Sequence, residues 1–163
     1  MVLTYEQLST HLEAVLSGCF SFDPFIYDYL KNLKNTGCRA MEMFDLNRWS
    51  IFDNENLQLI PQKGNLPRII LKNLLSEGFN EAVINKPLSY YSFSYSQANF
   101  YFKRFSIYSF VYHDSRPETL NLFRHYVCKT MKLQGYSDQL ISEYFGEIDI
   151  TNIRNYIYSD LVV

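Results

Sequence analysis

The spacing of apolar side chains changes twice along this chain, and that change limits the fold more than any other feature. Up to residue 47, apolar residues recur every three or four positions, as on one face of a helix. Residues 48–52, 57–61 and 67–71 instead alternate apolar and polar side chains, with polar turn segments between them. The helical spacing then returns. The pattern predicts an α+β fold that is mostly helical, with a small three-stranded antiparallel sheet in the middle.

Capping residues and glycines indicate where the helices begin and end. Thr4 and Gln7 form a capping-box pattern at the start of a first helix over residues 5–17, which Gly18 is expected to end. A second helix should begin at Pro24 and end at Gly37. The other predicted helices cover residues 40–46, 72–78 and 95–110, a long segment from the Arg116-Pro117 pair to Gly135, and residues 138–145 and 151–161.

Length and composition bound the kind of protein. A chain of 163 residues with 47% hydrophobic and 20% charged residues is sufficient for one packed domain over residues 1–163. The longest uncharged stretch, residues 87–102, contains several polar side chains and does not fit a membrane-spanning helix. The start of the chain lacks the pattern of a secretion signal, and the three cysteines are widely spaced. We therefore expect a protein of the reducing cytoplasm without a membrane partner.

Charge and motif searches exclude several common classes. The net charge is −2, so the strongly basic balance of many nucleic-acid-binding proteins is missing, although the ends of the chain are more acidic than its middle. The sequence contains no paired-cysteine zinc motif, no phosphate-binding glycine loop and no HExxH segment. It therefore predicts no metal, nucleotide or other cofactor.

Five short segments carry residues that could perform chemistry together. The segment TGCRAME at residues 36–42 places Arg39 at the start of a helix, and Lys63 lies in the turn between two predicted strands. The segment NLFRH at residues 121–125 opens the long helix, and residues 145–147 (FGE) follow a later one. The last helix carries Tyr156.

In this order and at these separations, the five segments resemble the catalytic domain of the tyrosine recombinases, the phage-integrase family. The resemblance covers nearly the whole chain. It implies that Arg39 and Arg124 are the two catalytic arginines, that Lys63 is the lysine of the β-hairpin, and that Tyr156 is the nucleophile. The resemblance also implies a separate helical domain before the catalytic domain and an exchanged helix after the tyrosine, and neither pattern is evident in these 163 residues.

The chemistry implied by the resemblance is DNA strand transfer through a 3′-phosphotyrosine. Two guanidiniums would hold the phosphate oxygens by bidentate hydrogen bonds, which arginine makes better than lysine. Tyr156 would attack the phosphorus, and Lys63 would protonate the departing 5′ oxygen, so that neither metal nor ATP is needed. The expected partner is double-stranded DNA, bound by a tetramer during recombination or integration of a mobile element.

Two positions depart from the family pattern. Asn121 stands where the family has a histidine, and an amide cannot exchange a proton near neutral pH. Glu147 stands where the family usually has histidine or tryptophan, and its carboxylate would repel a phosphate. Loss of one positioned acid or base costs about 10²- to 10⁴-fold in rate. Both residues are nevertheless candidates for the active site.

Other candidates and alternatives stay open. Lys103 and Arg104 are candidate phosphate contacts on a predicted helix, and His125, beside Arg124, is a candidate DNA contact or a structural histidine. Tyr158 competes with Tyr156, and a lysine such as Lys63 is common in turns without any function. The alternative functions are a catalytically impaired DNA-binding module of the same fold, a topoisomerase that reseals one duplex, and a helical protein-interaction domain.

Overall fold

The computed structural model describes residues 1–60, 66–71, 79–87 and 89–163, without the side chain of residue 85. The predicted α+β class is confirmed, because helices dominate and three short antiparallel strands form a meander in the order β1-β2-β3. The elements are α1 (Tyr5–Phe22), α2 (Pro24–Thr36), α3 (Ala40–Phe44), β1 (Trp49–Ile51), β2 (Asn56–Leu59), β3 (Arg68–Leu71), α4 (Tyr95–Arg104), β4 (Val111–His113), β5 (Arg116–Glu118), α5 (Leu122–Leu133), α6 (Asp138–Tyr144) and α7 (Ile150–Tyr158), with short 3₁₀ helices at Leu46–Arg48 and Glu81–Asn85.

The first two helices begin where the sequence predicts, but the first one ends later. The Thr4 side chain accepts a hydrogen bond from the backbone N–H of Gln7 at 3.1 Å, which completes the start of α1. The expected end at Gly18 is wrong, because α1 continues to Phe22. A Cβ atom at Gly18 would lie 2.3 Å from the ring of Phe105. This glycine therefore allows the segment after α4 to pack closely on α1, and does not act as a terminator.

The three-stranded sheet buries one face. Leu57 of β2 pairs with Ile70 of β3, and both side chains are fully buried, as is Leu59. The indole of Trp49 in β1 is also buried, and its Nε1–H donates to the backbone carbonyl of Glu42 at 3.0 Å. The alternation of side chains along short strands produces this arrangement. The turn predicted to hold Lys63 and the helix predicted at 72–78 lie outside the described residues.

A second, two-stranded sheet follows α4, and the sequence reasoning missed it. The helix expected over residues 95–110 ends at Arg104, and β4 then pairs antiparallel with β5. Asp114 and Ser115 form the turn with φ values of 50° and 63°, the left-handed pair that suits a two-residue hairpin. Pro117 lies in β5, on a strand with a free edge, where a missing N–H is tolerated.

Helix α5 is the centre of the helical part. Nine of its residues are buried, and it packs against α1, α2, α6 and α7. The three cysteines are free and buried. Among the described residues, no helix is both long and apolar enough to cross a bilayer.

Candidate active site

Residues from four parts of the chain line one surface pocket of about 310 Å³. Arg39 comes from the start of α3, and His113 ends β4. Glu147 lies between α6 and α7, and one face of α7 supplies the remaining residues. The lining residues are Arg39, His113, Glu147, Asn152, Asn155 and Tyr156. Three of these were predicted from the sequence as catalytic candidates, and the fold brings them together.

Arg39 reaches the pocket because a glycine ends α2 just before it. Gly37 adopts φ 67°, a left-handed conformation that reverses the chain between α2 and α3. The backbone N–H of Arg39 donates to Glu42 Oε1 at 2.8 Å, which fixes the first turn of α3. The Arg39 side chain stays 40% exposed, and its Nη2 donates to Glu147 Oε1 at 3.2 Å.

Arg124 contacts the same carboxylate from the interior of the protein. Its side chain is only 1% exposed, and its Nη2 donates to Glu147 Oε1 at 2.8 Å. Its Nη1 donates to the carbonyl of Gly37 at 3.2 Å. The guanidinium carbon lies 4.6 Å from the ring centre of Phe145 and 5.2 Å from that of Tyr156. A buried, charged guanidinium is thus held directly under the candidate nucleophile.

Glu147 lies between the two arginines, and its backbone is held in place. One oxygen, Oε1, accepts from both guanidiniums, and the side chain is 4% exposed. The backbone N–H of Glu147 donates to the carbonyl of Ser142 at 3.0 Å, and the Ser142 hydroxyl donates back to the Glu147 carbonyl at 3.2 Å. The carboxylate therefore occupies the position where two arginines would bind a phosphate oxygen.

Tyr156 and Tyr158 face different partners, as their spacing on a helix requires. Tyr156 lines the pocket, and its hydroxyl accepts a hydrogen bond from Asn121 Nδ2 at 3.4 Å. The exposed Tyr158 donates instead to Asp138 Oδ1 at 2.7 Å. Asn121 thus contacts the tyrosine hydroxyl without being able to take its proton.

Comparisons with known protein families and with curated protein sequences find no match. Solved structures do match. XerA recombinase, whose crystal structure is known, has 14% sequence identity to this chain and superposes on it with a TM-score of 0.61. The alignment covers 97% of this chain and 60% of the XerA chain. The XerH site-specific recombinase, described as bound to palindromic difH substrate in a post-cleavage complex, is 14% identical with a TM-score of 0.63 over 96% of this chain. The fold is that of the tyrosine recombinases.

The likeness to these two recombinases is one of fold, and it extends over only part of their length. This chain spans 60% of the XerA chain and 48% of the XerH chain. In this fold Arg39 and Tyr156 line one pocket, and the buried Arg124 contacts Glu147 of the pocket wall, whereas the roles of the three residues stay predictions.

A second buried arginine, Arg68 of β3, extends the charged layer of this recombinase fold. It lies 3.7 Å from Glu42 Oε1, and its guanidinium carbon is 5.2 Å from the centre of the Phe145 ring. Burial, and next the charge of Arg124, lower the pKa of Arg68. Sequence reasoning did not select this residue, because a single arginine in a short strand has no distinctive spacing. Arg68 and Glu42 hold α3 against the sheet, behind Arg39.

A histidine and carboxylate cluster lies beside Tyr156. The rings of His125 and Tyr156 have centroids 4.7 Å apart, and those of His125 and His113 are 4.6 Å apart. Burial lowers the pKa of His125, which keeps its imidazole neutral near pH 7. Burial alone would raise the pKa of Glu118, but the side chains of His125 and Asn121 lower it overall. Glu118 is thus an anion beside two imidazoles.

The remaining candidates lie elsewhere. Lys103 and Arg104 are exposed at the end of α4 and do not line the pocket, and the Arg104 guanidinium lies over Phe22 at 5.5 Å. His125 is fully buried, so a contact with DNA would require it to leave the core. The sequence reasoning missed the pocket residues Asn152 and Asn155. They lie on the α7 face of Tyr156, and the polar side of that amphipathic helix was the available signal.

Proposed function

We propose that this domain cuts and rejoins double-stranded DNA through a 3′-phosphotyrosine at Tyr156, as a site-specific recombinase of the tyrosine type. The observation that carries the proposal is a pocket of about 310 Å³ lined by Arg39 and Tyr156, with the buried Arg124 guanidinium 5.2 Å from the centre of the Tyr156 ring. These residues are far apart in the sequence, and a pocket of this size accommodates a phosphodiester group. The recombinase fold supports the same reaction class.

The proposed step is an in-line displacement at phosphorus. The Tyr156 oxygen forms a bond to the phosphorus, its phenolic proton passes to solvent, and the bond from phosphorus to the 5′ oxygen breaks. The 5′ oxygen takes a proton, which we assign to Lys63 on the strength of the family resemblance. Arg39 and Arg124 would stabilise the charge that grows on the two non-bridging oxygens. The reverse step rejoins the strand.

The neighbours of Tyr156 orient its side chain. Asn121 donates a hydrogen bond to the hydroxyl oxygen, and the Arg124 guanidinium lies 5.2 Å from the ring centre. In this proposal Asn121 positions the nucleophile and does not act as an acid or base.

A catalytically impaired DNA-binding module is the second candidate, and Glu147 favours it. Its carboxylate already accepts hydrogen bonds from both arginines, so a phosphate must displace it or share the site with its negative charge. The proposal of cleavage therefore requires the Glu147 side chain to turn away when DNA binds. The second candidate requires only that DNA binds elsewhere on the surface.

The experiment is covalent trapping on nicked duplexes that lose the 5′ fragment after cleavage. Because the target site is unknown, the probe is a pool of such duplexes with randomised sequence around the nick. We expect an adduct that survives SDS, is absent in Tyr156→Phe and is retained in Tyr158→Phe. Tyr158 is the matched control, because it lies two residues away on α7 and its hydroxyl bonds Asp138 outside the pocket.

The outcomes separate the candidates. An adduct that depends on Tyr158 rather than Tyr156 would overturn the assignment of the nucleophile. If wild type and Glu147→Gln both form no adduct but bind duplex DNA with affinity that falls steeply with salt, the impaired DNA-binding module replaces the recombinase. If neither protein binds duplex DNA, both candidates are wrong and the protein-interaction domain takes their place.

Further parts of the proposal concern assembly and location. Exchange of strands between two duplexes needs four such domains, so we infer a tetramer on DNA as the working assembly. The three buried, free cysteines support a reducing compartment, such as the cytoplasm.

A further inference from the structure

Three potential metal ligands lie together beside the pocket, outside the set of residues that would act on a phosphate, and one of them, His113, lines it. His113, Glu118 and His125 each place one donor atom within 4.8 Å of the other two. His113 Nδ1 lies 3.7 Å from Glu118 Oε1, and His125 Nε2 lies 3.9 Å from the same oxygen. Two imidazoles and one carboxylate form a common donor set for divalent transition metals.

The fold places these donors on rigid elements. In the β4–β5 hairpin, His113 pairs with Arg116, and Val111 pairs with Glu118. Paired residues point to the same face, so His113 and Glu118 are diagonal neighbours on that face. His125 lies in the first turns of α5, which follows β5 after a short connection. The hairpin and the helix therefore meet at the three donors.

Three of the four ring nitrogens of this cluster are buried without a hydrogen-bond partner in the described part of the chain. His125 is fully buried, and neither of its ring nitrogens has a hydrogen-bond partner within the described part of the chain. The buried Nε2 of His113 also has none there. Buried side-chain nitrogens are satisfied in the great majority of cases, so His125 Nε2, 3.9 Å from Glu118 Oε1, is available to bind a ligand together with that carboxylate.

Lys129, a nearby cation, makes its hydrogen bonds elsewhere. Lys129 lies one helical turn after His125, but its ammonium donates to the carbonyls of Ile157 at 2.9 Å and Ser159 at 3.1 Å. Asp114, on the hairpin turn, places Oδ2 3.6 Å from His113 Nε2. A carboxylate behind a ligating histidine is the usual outer partner that orients the ring and raises its basicity.

We propose that His113, Glu118 and His125 form a binding site for one divalent transition-metal ion of the Zn²⁺ type. Ligand distances of about 2.0 to 2.2 Å place tetrahedral donors about 3.3 Å apart, so the cluster must contract by about 0.4 to 1.5 Å. His113 binds through Nδ1, and its Nε2 then faces Asp114. Three protein ligands leave the fourth position to water or another small ligand.

Metal binding would join the hairpin to α5 next to Tyr156. The His125 ring packs on the Tyr156 ring, and His113 lines the same pocket as that tyrosine. The ion would fix this wall of the pocket. The proposal goes beyond the DNA chemistry, because the site exists whether or not Tyr156 cuts DNA.

The experiment is calorimetric titration of the whole, tag-free chain with ZnCl₂, and a parallel titration with CoCl₂ followed by visible absorption. We expect one ion per chain, a Co²⁺ spectrum of a four-coordinate nitrogen and oxygen site, and a rise in Tm with bound metal. His113→Ala and Glu118→Gln should each weaken binding by more than the about 10- to 100-fold that loss of an outer partner costs.

The control is His11→Gln, which removes the one other histidine of the chain and lies on α1. It should bind Zn²⁺ as the wild type does. Glu118→Gln keeps the size of a half-buried side chain, so it tests the site even if His113→Ala fails to fold. Wild-type affinity in a folded Glu118→Gln variant, a thiolate charge-transfer band with Co²⁺, or no binding by the wild type at millimolar Zn²⁺ would each overturn the proposal.

Discussion

Replacing Glu147 by glutamine should lower the stability of the protein and, at the same time, raise its affinity for phosphate groups. The substitution keeps the shape of the side chain and removes its negative charge. Glu147 is the one group that accepts a hydrogen bond from both Arg39 and Arg124 among the described residues. In the proposed function, a carboxylate at that position would compete directly with an incoming phosphate oxygen. If this reasoning is correct, the loss of stability and the gain in affinity arise from the same two hydrogen bonds.

The magnitude follows from the geometry of the two contacts. The 2.8 Å bond to Arg124 is buried, and making its acceptor neutral costs about 1 to 1.5 kcal/mol. The 3.2 Å bond to Arg39 adds about 0.5 kcal/mol or less, because that guanidinium is 40% exposed. A total of about 1 to 2 kcal/mol corresponds to a fall in Tm of about 2 to 8 °C for a chain of this size. The same free energy corresponds to about 5- to 30-fold tighter phosphate binding.

The assay combines thermal unfolding with fluorescence anisotropy of a labelled duplex at several salt concentrations. The affinity of Glu147→Gln for the duplex should rise by about 5- to 30-fold. The slope of log affinity against log salt concentration should steepen by about 1, because the arginines become free to displace counterions. Glu143→Gln is the control for net charge, since Glu143 is exposed on α6, near Glu147. It should change Tm little and affinity only slightly.

Two results would refute this reasoning. A fall in Tm without tighter DNA binding would show that phosphate does not compete for the arginines and that Glu147 is a structural partner alone. An equal gain in affinity with Glu143→Gln would show that net charge, and not the position of one carboxylate, controls the binding.

Two further predictions concern the framework of the site. Gly37→Ala should lower the free energy of unfolding in urea by about 2 to 5 kcal/mol, because φ is +67° and the new Cβ would lie 2.8 Å from the ring of Phe145. Gly135→Ala, with φ +94° and open space, isolates the backbone cost at about 1 to 2 kcal/mol, and equal losses at both positions would contradict the packing argument. Burial lowers the pKa of His11 below its ordinary 6.5, so its contribution to stability is complete above that pH and declines as pH falls through the folded pKa. Between about pH 7.5 and pH 5, the free energy of unfolding of His11→Gln should therefore fall less than that of the wild type. An equal fall in both proteins would exclude His11 as a source of this pH dependence.

Much of the fold could be predicted because the signals are local. The capping pattern at Thr4, the left-handed glycine at position 37 and the alternating strands depend on nearest neighbours in the sequence. They appear where expected. The end of α1 could not be predicted in this way, because Gly18 serves a contact with Phe105, which is distant in the sequence. A glycine alone does not distinguish a helix end from a close approach of two elements.

The candidate site shows the same division. The spacing of motifs selects Tyr156 over Tyr158, and the structure places Tyr156 in the pocket with Arg39. The position of Glu147 between two guanidiniums depends on rotamers and on the backbone bonds to Ser142, which no local pattern contains. The ligand cluster on the hairpin was missed because residues 105–110 suggested a longer helix. The β4–β5 pairing that aligns His113 with Glu118 therefore had no signal in the sequence.

The hydrogen bonds from Lys129 to the end of α7 determine which parts of the site would rearrange if DNA binds. Lys129 and Arg124 lie on the same helix, and the Lys129 ammonium donates hydrogen bonds to the carbonyls of Ile157 and Ser159, which follow Tyr156. Tyr156 and the buried Arg124 are therefore held in a fixed relative orientation, which in the proposed reaction would exist before DNA binds. Little conformational entropy is left to lose at that part of the site on binding. In the proposed reaction, the rearrangement on DNA binding would then be confined to the exposed Arg39 and to the turn of the Glu147 side chain.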